Sequence, residues 1–321
     1  MTISNKDENQ RLDKFLMRYL NKAPKSFIYK MLRKKNIKCN GKKAEGSEML
    51  LSGDFIQIYL SDDTIETFKQ KVEIVTVKKT FEIVYEDENI LVCNKPVGLL
   101  VQSDISEDKN TLVDQVIYYL YESGQYNPEG ECEFKPAICN RLDRNTSGIV
   151  LAGKNLMAVQ TINKAIHDNK TDKFYKTIVK GVITTKGELV DYHTKDSSTN
   201  EVNITSHYVE GSKKIITKYK PLKNNGDYTL LEIELITGKT HQIRAHLQSI
   251  GHPIIGDSKY GQMSVNRVFK QKYGLQYQLL HAYKFIWRDE DSNLNYLYGK
   301  NLEADLPKLF KNIENDLDIT H

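Results

Sequence analysis

The sequence predicts an α+β fold in which a mixed, mostly antiparallel central sheet with flanking helices follows a small basic α+β unit. Beyond residue 80, stretches typical of strands outnumber those typical of helices and do not alternate with them, which argues against a doubly wound parallel sheet. Residues 1–60 carry 13 Lys and Arg against 6 Asp and Glu, a net charge of +7. The whole chain carries +4, so the remainder carries +4 − 7 = −3. This asymmetry predicts that the basic unit meets a polyanion.

Length and composition set the broad class of the protein. At roughly 100–200 residues per domain, a chain of 321 residues suggests about two domains. We place an N-terminal unit at residues 1–62, a linker with a short strand (Val72–Val77) at 63–80, and a C-terminal domain at 81–321. No apolar run approaches the ~20 residues that span a bilayer, and no secretory signal is recognisable. We therefore expect a cytoplasmic protein without a membrane partner, and we expect it to be a monomer.

Neither the cysteines nor the histidines have the spacing of a metal site. The cysteines include no Cys-x-x-Cys pair. His241 and His246 are five residues apart, whereas two ligands on one helix face are four apart. We expect no bound metal. Because cytosolic thiols stay reduced, we interpret all four cysteines as structural or incidental: Cys39, Cys93, Cys132 and Cys139.

The N-terminal unit is predicted to contain two helices with a basic edge, followed by a hairpin. Apolar residues from Leu12 to Leu20 recur at the spacing of one helix face. A second helix begins near Pro24, and Asn40-Gly41 predicts a tight turn between short strands. A solvated lysine-rich surface explains the charge as well as a polyanion contact does. The cations that we assign to that contact are Lys30, Arg33, Lys34, Lys35 and Lys38.

Asp143 is the leading candidate for a reactive group. It lies between Arg141 and Arg144, just before an apolar strand predicted at residues 148–152. The two cations favour the charged carboxylate, which is costly beside a buried strand unless it is paired. The triplet alone does not separate a catalytic from a structural aspartate, because Arg11-Leu12-Asp13 repeats it in the N-terminal unit.

Two further segments supply polar groups. Residues 237–246 predict a helix capped by Thr240, with Arg244 in its first turns. Residues 172–181 predict a strand on which Tyr175 faces away from its two neighbours. Taken singly, Arg244 is either an ordinary surface arginine or the fixed partner of a buried carboxylate. Taken singly, Tyr175 is better explained as a core or sheet-surface tyrosine than as a residue that stacks on a base.

Together, and in this order, these segments resemble the RluA-type family of pseudouridine synthases over residues 81–310. The N-terminal unit resembles the S4-type RNA-binding domain. The motifs that carry the resemblance are Arg11-Leu12-Asp13-x-x-Leu16, Ser26, Ile37-x-x-Asn40-Gly41, Lys95-Pro96-x-Gly98-Leu99, Arg141-Leu142-Asp143-x-x-Thr146-Ser147-Gly148, Tyr175, Gly238-x-Thr240-His241-Gln242-Ile243-Arg244-x-His246, Gly251-His252-Pro253-Ile254-x-Gly256-Asp257-x-x-Tyr260-Gly261, Leu280-His281-Ala282 and Leu306-Pro307-x-x-Phe310.

The resemblance implies that a uridine leaves its stack in folded RNA and is isomerised. Asp143 is then a nucleophile on the ribose or on the ring, or a base at the sugar, and these three routes stay open. Arg244 pairs with Asp143, and Tyr175 stacks on the base. No redox step or group transfer occurs, so no cofactor is implied. Either Arg141 or Arg144 fills the space that the base leaves, and the place of Arg141 in the motif favours Arg141. Further contacts to the substrate are expected from His241, Gln242 and Leu280.

The RNA target stays open at this point. Large-subunit ribosomal RNA is favoured, because transfer-RNA members of the family often lack an N-terminal unit. A transfer-RNA enzyme, a non-catalytic RNA-binding or ribosome-assembly protein, and a hydrolase with an aspartate nucleophile are the alternatives. Three positions depart from the family pattern. Asn140 and Gln102 stand where histidine is frequent, and Asn36 stands where glycine is usual, in a turn that an asparagine tolerates.

Overall fold

Two helices and a three-stranded sheet form the N-terminal unit. The computed structural model describes residues 1–4, 7–69, 74–103, 110–128, 134–195 and 202–320. Apolar faces of both helices and the inner face of the sheet enclose one core, which includes Leu12, Phe15 and Ile28. The sheet has the order β2-β1-β3 and is antiparallel. The elements are α1 (Leu12–Tyr19), α2 (Lys25–Arg33), β1 (Ile37–Cys39), β2 (Lys42–Lys43) and β3 (Ile56–Ile58).

The hairpin between β1 and β2 is confirmed. Asn40 and Gly41 both have positive φ, at 52° and 74°, as the favoured two-residue hairpin turn requires. The turn after α2 differs from the expectation, because its left-handed residue is Lys35, with φ 63°, rather than Asn36. The N–H groups of Lys35 and Asn36 donate to the carbonyls of Leu32 and Met31, both at 3.0 Å, so the end of the helix is satisfied by backbone bonds.

Helix α3 (Asp62–Phe68) begins at the last residue of the predicted N-terminal unit and continues into the predicted linker, and it packs against the N-terminal unit. Its cap is Ser61, whose hydroxyl accepts from the N–H of Thr64, and the ring of Phe68 is 4.4 Å from that of Phe27. Residues 74–77 of the expected Val72–Val77 strand are not in a strand, and 72 and 73 lie outside the described residues. Cys132 lies outside them as well.

The C-terminal domain has an 11-stranded sheet that confirms the predicted mixed, mostly antiparallel arrangement. The sheet order is β10-β9-β11-β12-β8-β13-β7-β5-β4, with β6 beside β7 and β14 beside β13. Among the described strand pairs, β13 and β7 alone are parallel. The strands are β4 (Glu82–Glu86), β5 (Ile90–Lys95), β6 (Ala137–Ile138), β7 (Ser147–Gly153), β8 (Thr171–Lys180), β9 (Gly187–Lys195), β10 (Val202–Thr205), β11 (Lys213–Asn224), β12 (Tyr228–Leu235), β13 (Leu280–Trp287) and β14 (Asn301–Glu303).

Helices cover both faces of this sheet. α4 and α6 join the core that contains Val150 of β7, whereas α5 joins a core that contains its neighbour Leu151. α7 and α8 share a third core with β8 and β12. Within the described residues, no helix is long and apolar enough to cross a membrane. The helices are α4 (Leu112–Glu122), α5 (Leu156–His167), α6 (Gln242–Ser249), α7 (Met263–Tyr273) and α8 (Lys308–Asp316), with a 3-10 turn at Asn295–Leu297.

The caps of two helices test the turn chemistry expected from the sequence. The sequence pattern predicts a helix over residues 155–169 with Asn155 as its cap, and this cap is confirmed, because the Asn155 side chain accepts from the N–H of Ala158 at 2.8 Å. The predicted cap of α6 at Thr240 is wrong. A helix capped by Thr240 would begin at His241, but α6 begins at Gln242. Its N-cap is His241, which has a left-handed backbone and no side-chain cap bond.

The parallel contact between β7 and β13 depends on Gly148. Its φ is +114°, and a Cβ atom there would lie 2.2 Å from the carbonyl oxygen of Ala282. Only glycine lets the two backbones approach this closely. The contact brings the loop that carries Asp143, just before β7, to the beginning of β13 at Leu280.

We therefore expect Gly148→Ala to lower the free energy of unfolding by about 3 kcal/mol or more, since it adds a backbone clash to an unfavourable φ. Gly211→Ala is the matched control: φ is +79° there, but nothing lies within 4 Å of the added atom. It should cost only about 1–2 kcal/mol. Urea unfolding of both variants measures the difference, and equal losses would contradict the steric account.

Candidate active site

A cavity of about 510 Å³ opens where the loop before β7 meets the turn before α6. β8 and β13 contribute one aromatic and one aliphatic side chain to it, Tyr175 and Leu280. The eight residues of the C-terminal domain predicted for catalysis and substrate binding all line this cavity: Arg141, Asp143, Arg144, Tyr175, His241, Gln242, Arg244 and Leu280. Segments far apart in the sequence therefore meet at one place.

Arg244 lies between two carboxylates. Its Nη1 donates to Oδ2 of Asp143 at 2.9 Å. Its Nε and Nη2 donate to the two carboxylate oxygens of Asp257 at 2.7 and 3.0 Å. Two parallel bonds of this kind hold a guanidinium in one orientation. Asp257 is therefore the anchor of Arg244, and Asp143 takes one further N–H on the cavity side.

Asp257 is fully buried, yet its carboxylate stays charged opposite the guanidinium of Arg244. Burial raises its pKa, but the bonds from Arg244 and from the N–H groups of Tyr260 and Lys259 outweigh burial, so the net pKa lies below the ordinary value of 3.8. Both N–H groups donate at 2.9 Å. The Asp143 side chain, in contrast, is 28% exposed, so a substrate can reach it.

His241 is held beside Asp143 by an unusual backbone and a tyrosine. Its φ of 54° is a left-handed conformation that histidine adopts at a cost. Nδ1 lies 3.1 Å from the hydroxyl of Tyr260, and Nε2 lies 3.7 Å from Oδ2 of Asp143. Burial lowers the pKa of His241 and the neighbouring Arg244 lowers it further, against the opposing effect of Asp143. A neutral imidazole at neutral pH follows.

Tyr175 is buried at the base of the same cavity. Burial, and then the negative charge of Asp143, raise the pKa of its hydroxyl far above the ordinary value of 10.0. The phenol therefore stays protonated at neutral pH. It can stack or donate a hydrogen bond, but it cannot act as a phenolate base.

Buried polar side chains bond to the loop that carries Asp143. The ammonium of Lys95 donates to the carbonyls of Pro96, Leu99 and Arg144 at 2.8–3.0 Å. Burial lowers the pKa of Lys95 to about 7, with Asp143 opposing. Gln278 donates to the hydroxyl of Thr146 at 3.1 Å. These bonds fix the loop without entering the cavity chemistry themselves.

Two polar side chains from the sequence analysis, Gln242 and Asn140, bond to neighbouring parts of the protein. The amide of Gln242 accepts from Thr237 and Lys239 and donates to β11, so its polar atoms are occupied within the protein. These bonds position the turn before α6, and Gln242 also lines the cavity, so substrate contact by its side chain stays a prediction. Asn140 bonds the backbone of β7 at Ile149 and Leu151. Of the two positions where histidine is frequent in the family, Gln102 is the one that lines the cavity.

The cations of the N-terminal unit lie outside this cavity. Four of them are exposed, and Lys38 is half-buried with its Nζ 5.2 Å from the centre of the Tyr59 ring. Asp13, by contrast, is 3% exposed and accepts two bonds from Arg11 and one from Tyr29. The two identical triplets therefore have different surroundings, and it is the Asp143 triplet that lines the cavity described above.

Sequence reasoning gave no role to three residues that organise the site: Asp257, Tyr260 and Lys95. All three stand within motifs that the sequence displays. A signal for Asp257 exists in hindsight, because a buried arginine needs a carboxylate partner and a Gly-Asp turn follows α6. No group of three or more metal-binding side chains occurs in the part of the chain that the structure describes.

The chain is similar to proteins of two known families. The sequence matches the RNA pseudouridylate synthase family over residues 89–249 and the S4 domain family over residues 10–56. It is 34% identical over 314 residues to a ribosomal large subunit pseudouridine synthase C of Rickettsia bellii, covering 94% of this chain and 96% of that protein. It is 33% identical to an uncharacterized RNA pseudouridine synthase of Aquifex aeolicus, covering 79% and 78%.

Among solved structures, human RNA pseudouridylate synthase domain containing 4 has a similar fold. The TM-score is 0.59 at 21% sequence identity, over 74% of this chain and 92% of that one.

Asp257→Asn should lower the free energy of unfolding by about 3–5 kcal/mol, because it leaves the buried Arg244 without its bidentate partner. Asp143→Asn, at a partly exposed position with one bond from Arg244, should cost about 1 kcal/mol or less. Because the pKa of Asp257 is lowered by folding, its contribution is complete above the unfolded value of 3.8 and is lost as pH falls through the folded value.

Denaturant unfolding from pH 7 to pH 2 measures both effects. The acid decline of stability should be shallower in Asp257→Asn than in the unchanged protein. Similar losses in the free energy of unfolding for the two variants at pH 7 would show that Asp257 does not anchor Arg244.

Proposed function

The chain belongs to the RNA pseudouridylate synthase family, and from this premise we propose that it modifies large-subunit ribosomal RNA with Asp143 as the reactive carboxylate. The isomerisation breaks the N1–C1′ bond of a uridine and forms a C5–C1′ bond. A proton leaves C5 and a proton is gained at N1, so the atoms balance without a further reactant.

The observation that carries this proposal is the carboxylate of Asp143 at the edge of the cavity. It is partly exposed, and its contact with Arg244 leaves the second oxygen available. A carboxylate in this state can attack or accept a proton, whereas Asp13, buried and bonded on both oxygens, cannot. Attack on the ribose, attack on the ring and proton removal at the sugar all need the same free electron pair.

The remaining cavity side chains fit an extruded base. Tyr175 offers a ring and a protonated hydroxyl, and Leu280 offers an apolar surface, which suits a uracil lifted out of its stack. Arg141 is exposed at the cavity edge, where it can fill the place of the missing base. Arg144 donates to the carbonyl of Gly98 at 3.1 Å, so its guanidinium also braces the loop. The neutral His241 is a suitable acceptor for the C5 proton.

Ribosomal RNA is supported by the relatives. The protein of Rickettsia bellii is named for the large ribosomal subunit, and the match covers the N-terminal unit as well as the C-terminal domain. A transfer-RNA substrate is the second candidate within the same reaction. Exposed cations of the N-terminal unit, at the end of α2, are suited to phosphate contacts that set position without reading sequence.

Asp143→Asn should abolish pseudouridine formation, a loss on the order of 10⁴-fold or more, because the neutral amide is a far weaker nucleophile and base than the carboxylate that every route requires. Pseudouridines are mapped across total RNA in cells that lack the gene and carry either the unchanged protein or the variant. Asp227→Asn, an exposed carboxylate with a 74% exposed side chain, is the control and should restore all sites.

In cells that carry Asp143→Asn, we expect pseudouridines to be missing only from the large ribosomal RNA. Loss confined to transfer RNA would overturn the target, and full restoration by Asp143→Asn would overturn the assignment of the reactive group.

Lys34→Ala with Lys35→Ala should weaken RNA binding and reduce the slope of log affinity against log salt by up to about 1.4–1.8, at about 0.7–0.9 per lost phosphate contact. Lys164→Ala with Lys186→Ala removes two exposed cations elsewhere and should leave the slope unchanged. Binding is measured with ribosomal RNA fragments between 50 and 200 mM salt, a range typical of such titrations. An identical slope in both double variants would refute the role of the α2 end.

A further inference from the structure

The outer face of the small sheet carries both exposed aromatic side chains of the N-terminal unit. Residues 1–69 contain seven aromatic residues. Five of these are buried or half-buried in the described segments 1–4 and 7–69, and only Phe55 and Tyr59 are exposed, at 47% and 54%. Single exposed aromatics are ordinary. Two of them flanking one short strand of a cationic sheet call for a physical explanation.

Strand register places these aromatics beside lysines on one surface. Ile56 and Ile58 pack into the core, so Phe55, Gln57 and Tyr59 point to the other side of the sheet. Next to them on β1 lies Lys38, directly opposite Gln57, and beyond it on β2 lies Lys43. We call this surface, made by Lys38, Lys43, Phe55, Gln57 and Tyr59, the aromatic face.

The charge on the aromatic face is unfavourable for the isolated protein. Lys38 and Lys43 are directly opposed across the strands, an arrangement that costs stability unless an anion lies between or above them. Among the described residues, the ion pair of Lys43 is with Glu45 and is long, at 4.0 Å. The N–H of Tyr59 donates to the carbonyl of Asn36 at 2.7 Å, so the aromatic face is continuous with the basic end of α2. These features together fit a polyanion that also carries flat, apolar groups.

We propose that the aromatic face binds an unpaired stretch of the RNA substrate, with bases stacked on Phe55 and Tyr59 and phosphates held by Lys38 and Lys43. Only single strands can place bases on a protein ring in this way, whereas cations alone hold paired and unpaired RNA alike. Phe55 and Tyr59 are four residues apart, about 13 Å along a strand, so the two stacked bases are not neighbours in the RNA. The proposal rests on RNA as the partner and is independent of the role of Asp143.

The experiment compares two RNA probes on the full chain. Fluorescence anisotropy measures the Kd for an unstructured 12-nucleotide RNA and for a fully paired RNA duplex of the same length. Phe55→Leu with Tyr59→Leu keeps the face apolar but removes both rings. The Kd for the single strand should rise at least about 20-fold, at roughly fivefold or more per lost stacking contact. The Kd for the duplex should change less than about twofold.

Two further variants serve as controls for the ring itself and for its location. Tyr59→Phe keeps the ring and should bind the single strand as the unchanged protein does. Tyr121→Leu removes a ring of similar exposure, 46%, from α4 of the C-terminal domain and should have no effect. Equal weakening for single strand and duplex, or no weakening, would overturn the proposal. Pseudouridine formation by the double variant at saturating RNA should persist. A wrong proposal for the aromatic face is therefore distinguishable from a wrong assignment of Asp143 as the reactive group.

Discussion

The candidate active site depends on one buried guanidinium and the two carboxylates that share it. A buried arginine without a counter-charge is strongly destabilising. Asp257 supplies that counter-charge through two parallel bonds and is itself supported by backbone N–H groups. Because Asp257 already balances Arg244, Asp143 is not required as its structural partner. The bond from Nη1 orients Asp143 toward the cavity while leaving it able to react.

Because Asp143 must be held in place relative to Arg244, the two segments that carry these residues are each bonded to the surrounding structure. Gly148 permits the close parallel contact of β7 with β13, and Lys95 ties the loop before β7 to the segment that follows β5. On the other side of the cavity, Gln242 ties the turn before α6 to β11. The two segments that meet at Arg244 and Asp143 are thus each fixed to the sheet. A shift of about 1 Å in either would misplace the carboxylate, an error that can cost on the order of 100-fold in rate.

Much of this organisation could be predicted from the sequence, because local rules and motif order carry it. Strand periodicity placed Tyr175 opposite its neighbours, and turn chemistry placed Asn40-Gly41 and the cap at Asn155 correctly. The pairing of Arg244 with Asp143 follows from the family resemblance and is present at 2.9 Å. Helices α7 and α8 and strand β9 were not predicted. The cap at Thr240 failed because tertiary contacts, including the bond of His241 to Tyr260, hold the chain in a left-handed turn there. Which carboxylate anchors a buried arginine is likewise decided by packing, so Asp257 was missed.

The most direct test of the account is the single-turnover rate of pseudouridine formation by Asp257→Asn, measured with saturating RNA at a temperature where the variant is folded. Asp257 touches no substrate in this account and acts only through Arg244. The account predicts a rate at least about 100-fold lower with an RNA Kd that is nearly unchanged. Asp257→Glu, which keeps the charge, should recover part of the loss. A folded Asp257→Asn variant with the unchanged rate would contradict the central claim that Asp257 fixes Arg244, and through it Asp143, for reaction.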